Sequence, residues 1–379
     1  MLVTNNYKPY SGGVVSAIDT LCQSLVQLGH QIYIVTLDFE GKGSSDISPV
    51  PVIRLVCPVR FRYKDSYIAI PWQPDQAIFD LVRTIKPDII HASHPFLLGV
   101  SALKAGQKLQ IPLVFTYHSQ YEKFAHWLPI PEVISICLIR QKILTYCTQV
   151  SGIIAPSYSI ASSLNSCLSN MCSTPIRVIP SAISRLYLDT QFSYKLTNSY
   201  LFKLLTVSRF AKEKNLGFLL WMFKQLVSIS PNFCLTLVGY GPELANLKHE
   251  AYQVLGFCQQ QLIFVERPDK ATIKQLYQSS DLFVFASQAE TQGLVLAEAM
   301  ACGTPVVALA GAGQNDLVIN HQNGFLVQDL NQMVRSILKI AHNPALHQKM
   351  QKAAFRTAQN YDPVRLAHQQ IEFYTDLVK

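Results

Sequence analysis

The chain has 379 residues, 49% of them hydrophobic and 15% charged, and a formal net charge of +8. That balance excludes a disordered chain, and a surplus of 15 Lys/Arg over 10 Asp/Glu in residues 1–185 is too dilute for a nucleic-acid patch. It fits an anionic small substrate or an anionic membrane surface, and with no apolar run of 18 residues no membrane-spanning helix is expected.

In chain order, the first half reads as strands Leu2–Thr4, Gln31–Leu37, Ile53–Cys57, Ile89–Ala92, Leu113–Tyr117, Gly152–Ala155 and Ile176–Ile179. Helical patterns such as Val14–Leu28 and Pro74–Ile85 separate them. The periodicity then lapses, and residues 184–200 read as a linker. A second series follows: Phe202–Val207, Cys234–Val238, Leu262–Val265, Leu282–Ala286, Pro305–Ala308 and Gly324–Val327, with helices including Asn215–Ser228 and Leu294–Ala301. The chain ends helical, from Tyr361. Alternating strands and helices predict two parallel α/β domains, residues 1–183 and 201–361, with a cleft between them. Ligands of such sheets bind beyond the carboxyl ends of the strands. The first strand has only about four residues where a core strand usually has 5–6, so either the strand is simply short or the natural start lies upstream of Met1. Met1 runs into a polar loop without a secretory signal, which makes the cytoplasm the expected compartment. Nine scattered cysteines without a CxxC pair read as reduced thiols used as small apolar residues.

The residues with chemistry fall at strand ends. In the stretch from Asp281 to Pro305, Glu290 follows a buried strand, and Gly293 and Leu294 open a helix that carries Glu298. A helix N-terminus is a phosphate seat, and two acceptor-only carboxylates beside it suit the hydroxyls of a sugar and of a ribose. Solvated helix-end acids would look the same. Arg209 and Lys214, in Thr206–Asn215, also follow a strand; a guanidinium fork and an ammonium five residues apart grip a diphosphate, although an ordinary basic loop has the same composition. Gly12 and Gly13 join the first strand to its helix, and Gly239 and Gly241 follow another strand. Such pairs allow close backbone approach to a phosphate or ribose, as well as plain tight turns. No dinucleotide or P-loop fingerprint is present. His118, with His91 and His94 at a neighbouring strand end, either faces the cleft or is structural. Without an Asp-x-Asp motif or a His/carboxylate cluster, no metal is expected.

Taken in order, Tyr7–Gly13, His118, Ala155-Pro-Ser157, Ser208–Lys214, Gly239–Pro242, and Glu290 through Glu298 with Gly303-Thr-Pro305 resemble the retaining glycosyltransferases of family four. The resemblance spans nearly the whole chain. It implies the GT-B fold, two Rossmann-like βαβ domains facing across a cleft, with the tail helix 362–379 crossing back to the N-terminal, acceptor-side domain. It implies that Glu290 holds the transferred sugar, Glu298 the donor ribose, and Arg209 and Lys214 the departing diphosphate. The Gly12-Gly13 loop would close on that diphosphate, and His118 would lie beside the donor sugar. Gly239, Gly241, Gly293 and Leu294 would complete the donor site. The expected reaction is retaining, metal-independent hexosyl transfer, glucose being the expected sugar, from a UDP- or GDP-linked donor, with no cofactor.

Two segments, Tyr63–Pro71 and Thr116–His126, look like bacterial diacylglycerol glucosyltransferases, which implies a membrane-lipid acceptor and a peripheral place on the inner face of the cell membrane. Arg54, Arg60, Arg62 and Lys64, with the helix Pro131–Thr148, are the expected membrane face, although an apolar stripe on that helix would equally suit packing into the core. Phosphatidylinositol or a soluble sugar as acceptor, and a silent GT-B scaffold, are the alternatives. Three positions depart from the family pattern: Ser181-Ala182 for the usual Asn-Gly turn, Val265–Pro268 for a glycine turn near the base, and the short first strand.

Overall fold

The computed structural model describes residues 1–9, 12–40, 48, 50–63, 66–127, 130–194 and 201–379. The chain divides into two compact units, one of Met1–Ala182 with Pro363–Lys379, the other of Ile183–Asp362.

The first unit contains β1 (Leu2–Val3), β2 (Ile34–Leu37), β3 (Val52–Leu55), β4 (Val59–Tyr63), β5 (Ser66–Ile70), β6 (Ile90–Ala92), β7 (Leu113–Thr116), β8 (Gly152–Ala155) and β9 (Ile176–Val178). Seven of them form one sheet in the order β3-β2-β1-β6-β7-β8-β9, every neighbouring pair parallel. Strands buried on both faces read as unbroken apolar runs, and all seven stand where such runs predict them, each end within a few residues. β1 is only two residues long, yet it is an interior strand: Leu2 pairs with Ile34 on one side and His91 on the other. The hairpin β4-β5 is antiparallel and separate from the sheet. The sequence reading does not anticipate it; Val59-Arg-Phe-Arg-Tyr63 alternates, which a search for continuous apolar runs passes over.

The helix Pro363–Val378 packs within this first unit. Phe373 lies so close over Gly152 that a Cβ there would meet its ring at 2.7 Å. The guanidinium of Arg177 lies 5.1 Å from the Phe373 ring centroid and 3.1 Å from Asp376. Tyr374 hydroxyl and His91 Nδ1 are 2.6 Å apart, and His91 Nε2 is 2.6 Å from Thr116 Oγ1. The helix is thereby bonded to β6 and, through His91, to β7.

The second unit holds β10 (Phe202–Arg209), β11 (Phe233–Tyr240), β12 (Leu262–Glu266), β13 (Leu282–Phe285), β14 (Val306–Leu309) and β15 (Gly324–Val327). They form a parallel sheet in the order β12-β11-β10-β13-β14-β15. Counted within the unit this is 3-2-1-4-5-6, the doubly wound order, whose direction reverses between β10 and β13. Apolar clusters cover both faces, one around Leu219, Phe223, Leu235 and Ile337, the other around Tyr277, Phe283, Leu296 and Met300. Residues 184–200, expected as a linker, are corrected in part. The portion through Tyr194 belongs to this unit and includes a helix, Arg185–Leu188, capped by the Ser184 hydroxyl. Four residues are too few to leave a helical period. Residues 195–200 lie outside the described residues.

Candidate functional site

At the carboxyl edge of the second sheet, β10 delivers Arg209 as its last residue, and one 3-10 turn, Lys212–Lys214, follows. Asn215, in left-handed backbone (φ 53°), turns the chain into the helix Leu216–Ile229. Across the switch point, β13 ends at Phe285 and the loop 286–293 leads to the helix Leu294–Ala301. Gly293 opens that helix with φ 82°, a conformation side-chain-bearing residues avoid.

The two loops are bonded to each other. Gln288 N and Ser287 Oγ both donate to the Glu213 carbonyl, at 3.2 and 3.4 Å. A third loop joins them: Gln314 Nε2 donates to the Ser287 carbonyl at 2.6 Å, and Gly313 N to the Glu290 carbonyl at 3.2 Å. The result is that Lys214 Nζ and Glu290 Oε1, 76 residues apart in sequence, form an ion pair. Both side chains are largely buried, at 21% and 16% exposed. Burial alone would raise the Glu290 pKa, but the Lys214 charge and hydrogen bond, with the Ser287 hydroxyl, outweigh it and hold the carboxyl below its ordinary value.

Glu298 is the contrary case. Burial pushes its pKa up to about 7, and the opposing effects, a 3.1 Å hydrogen bond from the Tyr277 hydroxyl and the charge of Lys270, only partly compensate. Two acids eight residues apart are thus held in different protonation regimes, one kept ionised by a cation and the other pushed toward its neutral form by burial. Tyr277 is fully buried, its ring 5.8 Å from that of Tyr187. The sequence singled out neither Tyr277 nor Gln314; both look like ordinary helix residues until the fold brings them to the acids.

Of the two glycines expected in the turn after the strand, Gly239 is still within the strand, while Gly241 opens the turn, its carbonyl accepting from Leu244 N at 3.2 Å. β11 runs on through Tyr240, with Gly239 opposite Ser208 and Tyr240 opposite Arg209. Gly239 adopts φ 144°, and a Cβ there would collide with the Ser208 carbonyl oxygen, so the strand contact itself demands glycine. Gly241 lies just beyond, against the backbone of Phe210.

Gly12, Gly13 and His118 belong to the first unit. Gly13 is the first residue of the helix Gly13–Gln27, and Gly12 precedes it in extended backbone (φ 169°), with nothing within 4 Å of a Cβ built there. Among the described residues, open space therefore lies at Gly12. Tyr10 and Ser11 lie outside the described residues. The loop before them is firmly held: Tyr7 donates to Asp19 at 2.5 Å, Lys8 pairs with Asp19 at 2.9 Å, and Asn5 Nδ2 donates to the Phe96 carbonyl at 3.1 Å. His118 follows β7 directly, its N–H donating to the Thr116 carbonyl at 3.0 Å. Burial pushes the pKa of His91 down to about 3, of His94 to about 4 and of His118 to about 3, the last also under the influence of its two neighbours. All three are neutral near pH 7.

The expected membrane face is partly corrected. Arg54 is not a surface cation: its guanidinium donates to the carbonyls of Leu37 and Lys8 at 3.1 and 2.6 Å. Arg60 is paired with Asp38 at 3.2 Å. Lys64 lies outside the described residues, as does the Arg62 side chain. The helix Glu132–Cys147 presents Val133 (74% exposed), Ile134 and Leu138 to solvent, with Cys137 beside them, while Leu144 is half-buried. Among the described residues no helix is long and apolar enough to cross a membrane.

Comparison with known proteins adds to this geometry. A family model described as Glycosyltransferase Family 4 matches residues 11–185, and one described as Glycosyl transferases group 1 matches residues 191–357. The alpha-monoglucosyldiacylglycerol synthase of Streptococcus pneumoniae is 27% identical, over 100% of this chain and 85% of its own length. The protein of the same name from Acholeplasma laidlawii is 24% identical, over 98% of this chain and 95% of its own. Among solved structures, Anabaena HepE in complex with UDP-glucose superposes with a TM-score of 0.75 at 20% identity, covering 99% of each chain.

Proposed function

The chain belongs to the GT-B glycosyltransferases of family four, and from that premise we propose that it transfers a hexosyl group, glucose foremost, from a nucleoside-diphosphate sugar to diacylglycerol, with retention and without a metal. The observation that carries the donor half is the Lys214–Glu290 pair, held by three bonded loops at the switch point of the second sheet. A cation fixed there meets the charge that builds on the departing phosphate oxygen as the C1–O bond breaks, which is where electrostatic help is worth most. Arg209, at the end of β10, supplies a second. Glu290, ionised by its partner, accepts hydrogen bonds from the sugar hydroxyls, and Glu298 those of the ribose. The acceptor oxygen bonds to C1 on the face the phosphate leaves, and its proton passes to the departing phosphate oxygen.

The acceptor half draws on two relatives, each aligned over nearly the whole chain, that bear the name of a diacylglycerol glucosylating enzyme. It draws also on the exposed apolar stripe of the helix Glu132–Cys147. Wet aliphatic side chains in a row mark a surface that meets another apolar phase, and a peripheral membrane contact supplies one.

The test is transfer from UDP-glucose or GDP-mannose to vesicles containing dioleoylglycerol, with and without EDTA, with product anomers read by NMR. An α-linked glucolipid formed equally with EDTA is the expected result. A β-linked product would overturn retention, loss of activity with chelator would overturn metal independence, and transfer only to a soluble sugar would overturn the lipid acceptor.

A further inference from the structure

The first unit carries a cavity of about 360 Å³ that none of the roles above uses. Ligand pockets begin at about 300 Å³. Its deeper lining is Tyr117, Ile143, Ile160 and Leu164, all buried, with half-buried Ile136 on the wall and Arg140 exposed at the mouth. Gln120, Glu122, Lys123 and Ser163 also line it, and the Tyr117 hydroxyl donates to Glu122 at 3.4 Å, so the buried apolar part carries no unbonded tyrosine hydroxyl. At the mouth, Arg140 donates one N–H to Cys167 Sγ at 3.1 Å. A guanidinium has five N–H donors and no acceptor, so Arg140 retains donors that suit carbonyl oxygens.

The position of the cavity says what enters. Ile136, Arg140 and Ile143 lie on one side of the helix Glu132–Cys147, at the spacing of successive turns. The solvent-exposed stripe of Val133, Ile134, Cys137 and Leu138 is the adjoining side of the same helix, so apolar surface runs from the exposed stripe round to the cavity. The cavity also abuts the candidate acceptor edge. Successive side chains at a strand end alternate in direction: Tyr117 lines this cavity, while Thr116 and His118 line a small separate one. An apolar chain seated here would lie against Tyr117, the immediate neighbour of His118, round the end of β7.

We infer that this cavity is an acyl-chain subsite for the acceptor, taking one fatty-acyl chain of a glycerol ester, with Arg140 donating to the ester carbonyl. The inference rests on the lipid-acceptor reading above and adds the place where the lipid is held.

The experiment uses the full chain and two variants that fill the cavity from different sides, Ile136→Trp from the wall and Leu164→Phe from the floor. Kinetics are measured in mixed micelles with dioleoylglycerol and with dihexanoylglycerol, and binding with a monoacylglycerol carrying a pyrene-labelled chain. The expected result is a rise of about tenfold or more in KM for the long-chain acceptor, equivalent to about 1.4 kcal/mol, with the short-chain KM and the donor KM within about twofold of wild type. The pyrene lipid should bind wild type at one per chain and bind either variant at least about tenfold more weakly. Equal changes for both chain lengths, or unchanged kinetics in the well-folded Ile136→Trp, overturn the subsite while leaving lipid glucosylation standing. If no diacylglycerol is glucosylated by wild type, the acceptor reading fails on its own. The pyrene titration then decides the cavity: saturable binding lost in the variants supports it, and absence of binding refutes it.

Discussion

The two sheets share a strand arrangement and differ in what they carry at their carboxyl edges. In each, the first strand lies between the second and the strand at which the order reverses, β2-β1-β6 in one unit and β11-β10-β13 in the other. On the second sheet the edge holds opposite charges: Arg209, the Lys214–Glu290 pair, and Glu298. On the first it holds three histidines kept neutral by burial, a bonded asparagine loop, and a cavity with buried apolar side chains on one part of its lining and Glu122, Lys123 and Arg140 on another. The same topology thus provides two places that differ in charge and polarity, the difference on which the donor and acceptor proposals rest. Fold sets position and the edge residues set chemistry.

The strongest way to break that contrast is to remove the cation from the charged edge. Lys214→Ala should lower kcat at least ~100-fold, as loss of a transition-state charge contact does, and leave Glu290 buried without its partner. Adding Glu290→Gln should cost much less than the two single losses combined, because the residues act as a pair. Steady-state kinetics of the three variants decide it. Wild-type turnover in Lys214→Ala would mean that the charged edge is not where the phosphate departs.

The next effect is on stability and sharpens the contrast by unit. Phe373, on the last helix, packs over Gly152 and belongs to the core of the first unit alone. Phe373→Ala should cost about 3–5 kcal/mol, read as faster amide exchange in β7 and β8 with β10 and β11 protected as before. Equal loosening of both sheets would show that the last helix stabilises the chain as a whole.

Much of this was legible in the sequence, for a physical reason that also marks its limit. Buried parallel strands are apolar runs, so their ends could be located, and with them Arg209, Lys214, Glu290 and Glu298. That two of these form an ion pair depends on bonds from Ser287, Gln288 and Gln314 to backbone carbonyls, and no spacing encodes such bonds. Gly239 looked like a turn residue, whereas it lies within the strand and the close contact with Ser208 requires glycine there. Arg54 counted as a surface charge until its guanidinium proved to be holding two backbone carbonyls. The cavity beside Tyr117 has residues from three separate segments, and nothing within any one of them shows that they meet.

The smallest predicted effect distinguishes the two edges by pH. Glu298 has its pKa raised from 4.5 to about 7, so in the folded protein it is protonated below about 7 and ionised above. An ionised carboxylate accepts charge-assisted hydrogen bonds from ribose hydroxyls, roughly twice as strong as neutral ones. Binding of a nucleotide sugar, whose phosphates do not titrate in this range, should therefore tighten by about threefold between pH 6 and 8, within the reach of one strengthened hydrogen bond. Tyr277→Phe removes the hydroxyl that favours the ionised form, so its midpoint should move to higher pH. Glu298→Gln should flatten the profile. The histidines of the other edge acquire charge only near pH 3 to 4, so His118→Asn should leave the shape between pH 6 and 8 untouched. Calorimetric titrations at four pH values on the four proteins separate these outcomes. A midpoint that persists in Glu298→Gln and vanishes in His118→Asn would assign the titrating group to the first unit and reverse the division of charge drawn here.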